Sequence, residues 1–401
     1  MIAEINDFLN KFDFDVRKTN DARFMDQKVT PDVLCIMADC ILNYVADREG
    51  IEFTKDDIWD SNYFNTNVKA IFNKPDAQNE TTRQEYDKFT SQPLRTLAYA
   101  NILNMKKDGR KNVYSINNKN LLEFIAMKER NAYVFLFHYL IKVLSDSGEL
   151  RYFESYKEKH QNSSATKSDF TDLKERFQRF IIGNTAINGK TEVNRIFPKI
   201  LNVYACEYNI PGTIKGRMSD HQFYYTDLMY NHPNWRDTNK DKNVSRNEAM
   251  EDHEELMMEQ NVAYSDYMVQ KAMNMIRKMY RESEVKDQWA NGDATQVHHI
   301  FPKSQFPQLA AYLENLIKLT PTQHYTMAHP NNKTDSINKD YQLVCLLAKS
   351  DSIETSLIRG EFVYRKESFI HVINTGLTEN LDYNLDFVGI KRELTRLYNV
   401  A

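Results

Sequence analysis

The sequence predicts a mainly α protein with small β elements, an α+β chain, and three observations carry that prediction. Apolar residues recur three and four apart along most of the chain, the spacing that lines one face of a helix. Only 11 Gly and 10 Pro occur, with 41% hydrophobic and 27% charged residues, in 401 positions; this is globular composition, and it excludes collagen-like, linker-rich and disordered chains. Strand character is confined to two places, 101–117 and 296–319. At roughly 150 residues per domain the length suggests two to three domains.

The charge balance of 52 Lys+Arg against 56 Asp+Glu gives −4, so no global positive field draws the chain to polyanions and any such site must be local. No run reaches the ~18 apolar residues of a spanning helix; the most apolar stretch, Tyr133 to Leu144, contains His138 and Lys142. Glu4 and Asp7 stand where a secretory signal would be basic and then apolar. A cytoplasmic protein without a membrane partner is expected. Cys35, Cys40, Cys206 and Cys345 form no CxxC pair and are expected to be reduced thiols in the core.

Thr30-Pro31-Asp32 opens the first strong helix, with Val33, Ile36, Met37, Ile41, Leu42 and Val45 at helical spacing and an end near Arg48, before Gly50. Thr54 with Asp57 resembles a capping box for a short helix through Trp59. A helix starting near Pro93 should bury Leu94, Leu97 and Ala98 and turn Arg95 and Tyr99 outward, four apart. A hairpin follows in which an Asp108-Gly109 turn would pair Lys107 with Arg110, Lys106 with Lys111, Met105 with Asn112 and Leu103 with Tyr114. That register sets like charges opposite one another, which is unfavourable unless an anion lies against them.

Three helices and then a basic hairpin resemble a winged helix-turn-helix domain over about 25–130. The resemblance implies phosphate contacts from Lys106, Lys107, Arg110 and Lys111, and a helix whose Arg95 and Tyr99 read base edges. The alternative is that the hairpin lysines serve solubility and block edge pairing. A further apolar helical stretch, 121–144, leads to the polar segment 157–169, the best linker candidate. The expected domains are therefore 1–156 for DNA recognition, 170–290 as a helical linking or dimerisation region, and 291–401 at the C-terminus. Within the middle region the loop 210–219 offers Lys215 and Arg217 to a phosphate or is a plain surface turn, and the acidic 246–259 reads as a solvated helix face.

Chemistry concentrates near the C-terminus. Four of the ten histidines, His298, His299, His324 and His329, fall within 32 residues. Gln296 to Phe301 and Leu316 to Leu319 read as short strands, and Thr320-Pro321 as a helix start. Neighbours on a strand point to opposite sides, so one of His298 and His299 would face the helix, within reach of His324, and the other would face a substrate. Two neutral imidazoles are natural ligands of a divalent ion, and water or phosphate oxygens can complete the shell. The outward histidine, with an ordinary pKa near ~6.5, can take a proton from water.

The pair His298-His299, the middle Asn315 and the helix histidine His324 resemble the HNH, or ββα-metal, nuclease motif, carried by about 35 residues. The resemblance implies His299 as general base, His298 and His324 as metal ligands, and Asn315 as the residue that fixes the loop and orients the base. Histidine at the first position, where aspartate is common in the family, suggests a site that admits Mn, Ni or Zn besides the expected Mg. Some members carry a third ligand four residues past the helix histidine; Ala328 stands there, and His329 one further. Five α-helical steps turn ~140° away, so His329 ligates only if Pro330 distorts the helix end. The family's structural-zinc cysteine pairs are absent, as are HExxH and the zinc-deaminase signature.

Together these residues resemble a type II restriction endonuclease of the HNH class: a sequence-specific double-stranded DNA endonuclease with one divalent metal ion per active site, leaving 5′-phosphate and 3′-hydroxyl ends. Palindromic sites would favour a homodimer, and a DNA methyltransferase would be a natural companion. A modification-dependent or low-specificity defence nuclease, and a non-catalytic metal-containing DNA-binding protein, are the alternatives.

Overall fold

The computed structural model describes residues 2–45, 50–72, 83–230, 264–329, 337–361 and 363–400. The described chain is mainly helical with small antiparallel sheets, and it divides into two compact units, Ile2–Gln260 and Asn261–Ala401. Among the described residues no helix is long and apolar enough to cross a membrane. None of the four cysteines forms a disulfide; three are buried and Cys206 is half-buried.

The first unit opens with α1 (Ile2–Leu9) and α2 (Val16–Thr19). Helix α3 (Pro31–Val45) starts at the Thr30-Pro31 signal and buries Val33, Ile36, Met37 and Ile41; its expected end near Arg48 lies outside the described residues. Strand β1 (Phe53–Thr54) leads into α4 (Lys55–Trp59), where the capping box forms, the Asp57 carboxylate accepting the Thr54 N–H at 2.7 Å. After α5 (Asn62–Phe72) comes α6 (Arg83–Tyr99), which carries Pro93 in its interior and not at its start. Proline inside a helix costs ~3 kcal/mol or more. The helix buries Tyr86, Phe89, Leu94 and Leu97, each contributing roughly 1.5–3 kcal/mol, so packing outweighs the break that the local sequence signals.

Strands β2 (Leu103–Asp108) and β3 (Lys111–Ile116) form the basic hairpin, and β1 joins it in the order β1-β3-β2. Its register corrects the expectation by two residues. Gly109 and Arg110 make the turn, with Gly109 at φ +57°, and the pairs are Asp108 with Lys111, Lys107 with Asn112, Lys106 with Val113, Met105 with Tyr114 and Leu103 with Ile116. Glycine suits the first position of a two-residue loop. The shift replaces two like-charge pairs with one opposite pair, and it lets Tyr114 stack on the buried Phe53.

Helices α7 (Lys119–Met127), α8 (Glu129–Asp146), α9 (Leu150–Gln161), α10 (Lys167–Asn184) and α11 (Lys190–Tyr208) complete the helical part. The linker expected at 157–169 is mostly helix: α9 runs through it to Gln161, and a Thr166–Asp169 capping box starts α10. Helix α11 packs on α8, α9 and α10, so this stretch belongs to the first unit and not to a separate middle region. The loop 210–219 is instead a second hairpin, β4 (Pro211–Ile214) with β5 (Arg217–Gln222). Lys215 at φ +51° and Gly216 at φ +78° form its two-residue turn, and the Gly216 carbonyl accepts from Lys174 Nζ. The acidic segment 246–259 lies outside the described residues.

In the second unit, a helix over 264–279 (α12) precedes the pair β6 (Gln296–His299) and β7 (Leu316–Leu319), followed by α13 (Lys339–Ile358), α14 (Lys366–Leu377) and α15 (Phe387–Val400). All of β7 is buried. Behind it, Lys349 of α13 and Glu284 pair at 2.8 Å with both side chains fully buried; the ammonium also donates to Tyr364 Oη, and Glu284 accepts the Lys318 N–H of β7. The chain leaves β6 through Phe301, whose ring lies where a Cβ at Gly376 would come within 2.4 Å. Glycine there lets α14 close on the ring.

Candidate metal centre

β6 and β7 are antiparallel, with His298 opposite Ile317 and His299 opposite Leu316. The chain crosses between them through two short 3-10 turns and then enters a turn at Pro321. Asn315 closes the crossing. Fully buried, it accepts the Phe301 N–H through Oδ1 at 2.8 Å and donates through Nδ2 to the carbonyls of Phe301 (3.0 Å) and Leu309 (3.2 Å). One residue beyond that clamp, the Ala310 carbonyl lies 3.0 Å from His299 Nε2. A carbonyl only accepts, so Nε2 carries the ring proton and Nδ1 keeps its lone pair. Burial pushes the His299 pKa below its ordinary value, partly offset by the Ala310 carbonyl, and the ring is neutral at pH 7.

The turn after β7 departs from the expected α-helix. Residues Gln323–Ala328 form a π-helical turn, and the His329 N–H donates to the His324 carbonyl five residues back, at 3.0 Å. A five-residue repeat returns His329 to the face that carries His324, where the four-residue repeat would have placed Ala328. The rings of His298, His324 and His329 accordingly surround one point, with centroids 4.8 to 5.2 Å apart and one nitrogen of each within 4.8 Å of the others. The conjecture that Pro330 distorts the helix end lies outside the described residues; the π register suffices without it.

His298 and His329 are buried, and His324 is half-buried. His298 Nε2 and His324 Nδ1 are buried atoms with no hydrogen-bond partner among the described residues. Burial, reinforced by the neighbouring imidazoles, holds the His298 pKa well below the ordinary value, and burial with His329 nearby brings His324 down to about 4. Held neutral, with a buried nitrogen that no described protein group satisfies, the His298 and His324 rings are costly to leave so and are in the state in which imidazole binds a cation. The donor set therefore fits a divalent metal ion.

One open cavity of about 310 Å³ is lined by His298, His299, His324, His329, Pro302, Lys303 and Ser304. The expected division of His298 and His299 between two sides is softened because β6 ends at His299, and both rings reach the cavity. Lys303, paired with Asp266 at 2.8 Å and half exposed, supplies a positive charge at its rim. Sequence reasoning missed Lys303, although it lies only four residues past His299. No family model, curated protein or solved structure matches the chain.

The residues expected to contact DNA in the first unit are arranged differently. Arg95 and Tyr99 share a face of α6 but are half-buried against the N-terminal segment and do not turn outward: Arg95 pairs with Asp21 at 3.2 Å, and Tyr99 Oη meets Thr19 Oγ1 at 2.7 Å while its ring stacks on Phe14. The residues that α6 exposes are Arg83, Gln84 and Lys88. Lys106 pairs with Glu52, and Lys111 with Asp56 at 3.3 Å; Lys107 and Arg110 pair with no described acid.

Proposed function

We propose that the second unit is an HNH-type, metal-dependent phosphodiesterase centre acting on double-stranded DNA, with the first unit as its winged-helix-like reader. The observation that carries the proposal is the convergence of His298, His324 and His329 on one point, with His299 held beside them by the Ala310 carbonyl on the same open cavity. Bound there, a divalent ion would neutralise a scissile phosphate and its departing 3′-oxygen. His299, neutral and oriented, takes the proton of the attacking water at Nδ1. Asn315 keeps the loop fixed so that Ala310 holds that ring, and Lys303 adds positive charge where the phosphate would enter. The products carry 5′-phosphate and 3′-hydroxyl ends.

Three imidazole ligands favour zinc, nickel or manganese over the magnesium expected first, because magnesium prefers oxygen donors. An open cavity and the base beside it favour a catalytic over a purely structural ion. For the reader, the element order α3-β1-α4-α5-α6-β2-β3 with β1 joining the hairpin supports the winged-helix comparison. Lys88, Lys107 and Arg110 replace Arg95 and Tyr99 as the residues best placed to meet a duplex. Sequence specificity, a homodimer and a companion methyltransferase remain parts of the same proposal.

The test is digestion of a DNA of known sequence in zinc, nickel, manganese and magnesium, with the ends mapped, beside His299→Ala. Discrete bands with 5′-phosphates in a transition ion are expected, and His299→Ala should cut ~10²–10⁴-fold more slowly while binding zinc as the parent does. Undiminished cutting by the variant removes His299 from the chemistry, and no cutting by the parent in any of the four ions removes the nuclease.

A further inference from the structure

The π-helical turn that recruits His329 is an uncommon backbone form, and something must hold it. Both of its ends are pinned. At the far end Ala328 is fully buried, and its carbonyl accepts the Asn338 N–H at 2.9 Å. At the near end stands Gln323, fully buried, with its amide satisfied on both sides. Its Oε1 accepts the Thr320 N–H at 3.0 Å and the Ser283 hydroxyl at 2.6 Å; its Nε2 donates to the Val285 carbonyl at 3.0 Å and to Asp287 Oδ1 at 2.8 Å. Thr320 Oγ1 accepts the Gln323 N–H in return, which makes a capping box. Asp287 also accepts the Tyr341 hydroxyl of α13. The first residue of the turn is thus tied to the segment 283–287, to Thr320 just past β7 and, through Asp287, to α13.

We propose that Gln323 is a positioning residue for the metal centre: its amide locks the turn in the five-residue register that brings His329 beside His298 and His324, and so sets the number of imidazole ligands at three. Gln323 does not line the cavity and would touch neither metal nor substrate. Without its amide, the Thr320 N–H, the Ser283 hydroxyl and the Val285 carbonyl lose their common partner. The turn then relaxes toward the four-residue register, which swings His329 aside and leaves a two-imidazole site. The inference rests on the metal-centre reading above, but not on the nuclease reading.

The experiment uses the full chain and zinc alone, with the parent, Gln323→Leu, His329→Ala and the double variant. Zinc affinity is measured by chelator competition, and ligation by the ring ¹⁵N resonances of the histidines. Outer partners of metal ligands are worth about 10- to 100-fold in affinity, so Gln323→Leu should lose that much and match His329→Ala. The double variant should lose no more, because both changes remove the same ligand. In the parent, the His329 ring resonances should shift on adding zinc; in Gln323→Leu they should not. A His329 shift retained in Gln323→Leu, or losses that multiply in the double variant, overturns the proposal.

Should Gln323→Leu fail to fold, Ser283→Ala removes one of the contacts to the amide and should give a smaller loss that is likewise absent in the His329→Ala background. Parent-like zinc affinity in Ser283→Ala overturns the proposal equally. A parent that binds no zinc overturns the metal centre itself, an outcome distinct from a parent that binds through three imidazoles regardless of Gln323.

Discussion

The histidine centre of the second unit and the basic hairpin of the first differ in what holds their charged or polar groups. At the centre the polar groups are buried and hydrogen-bonded in fixed pairs: Asn315 to the backbone of Phe301 and Leu309, the Ala310 carbonyl to the His299 ring, and Gln323 to the backbone of Thr320 and Val285. On the hairpin, Lys106 and Lys111 meet acids of their own unit with side chains 61% and 67% exposed, contacts worth about 0–1 kcal/mol and readily exchanged. Buried geometry fixes a reaction to within a fraction of an ångström, whereas exposed charge sets only an average field.

The buried centre differs from the exposed hairpin only as long as the second unit is rigid behind its histidines. Lys349→Met tests this, because it strands the fully buried Glu284 carboxylate, and removal of one partner of a buried pair costs about 3–5 kcal/mol. Glu284 also holds the Lys318 N–H of β7, so the loss should appear in denaturant melts and in weaker zinc binding together. A variant as stable as the parent would mean that the pair contributes little to the scaffold.

Acid sharpens the contrast with a smaller effect. His298 and His324 have folded pKa values below those of an unfolded chain, where histidine titrates near ~6.5. Between that value and about 4 for His324, the unfolded chain binds more protons, so stability falls as pH falls and is fully present only above the unfolded pKa. Metal-free protein should therefore lose stability from about pH 6.5 downward, and His324→Ala should flatten that slope. An unchanged slope would mean that the ring is solvated and already titrates normally.

How much of this was legible in the sequence follows the same division. The strand pair, Asn315, the Thr54–Asp57 capping box and the α3 start depend on local spacing, and each lies where the residues place it. The misses depend on tertiary contacts. Pro93 signals a helix start, but the apolar residues before it bury and carry α6 back to Arg83. The hairpin register turns on whether glycine takes the first or second place in the turn, which Phe53 stacking on Tyr114 helps to decide. The rotation of an α-helix turns His329 away unless Pro330 distorts its end, and no local pattern announces a π register. Gln323 lies three residues past Thr320, the spacing of a capping box, but its links to Ser283 and Asp287 are invisible in sequence.

The smallest expected effect lies on the hairpin itself. If a duplex sits there, Lys107 and Arg110, which no described acid neutralises, should each release about one counterion on contact, reducing the slope of log K against log salt by about 0.9 per cation. Lys106 and Lys111 must first give up Glu52 and Asp56 and should contribute less. Binding isotherms at several salt concentrations for Lys107→Ala/Arg110→Ala beside Lys106→Ala/Lys111→Ala separate the pairs, with a loss of nearly two in slope expected for the first and a smaller loss for the second. Equal losses would mean that phosphate displaces the acids freely, so that the intramolecular pairs shape nothing. No loss in either would return the hairpin lysines to solubility and edge protection, and would move the reading surface to Arg83 and Lys88 on α6.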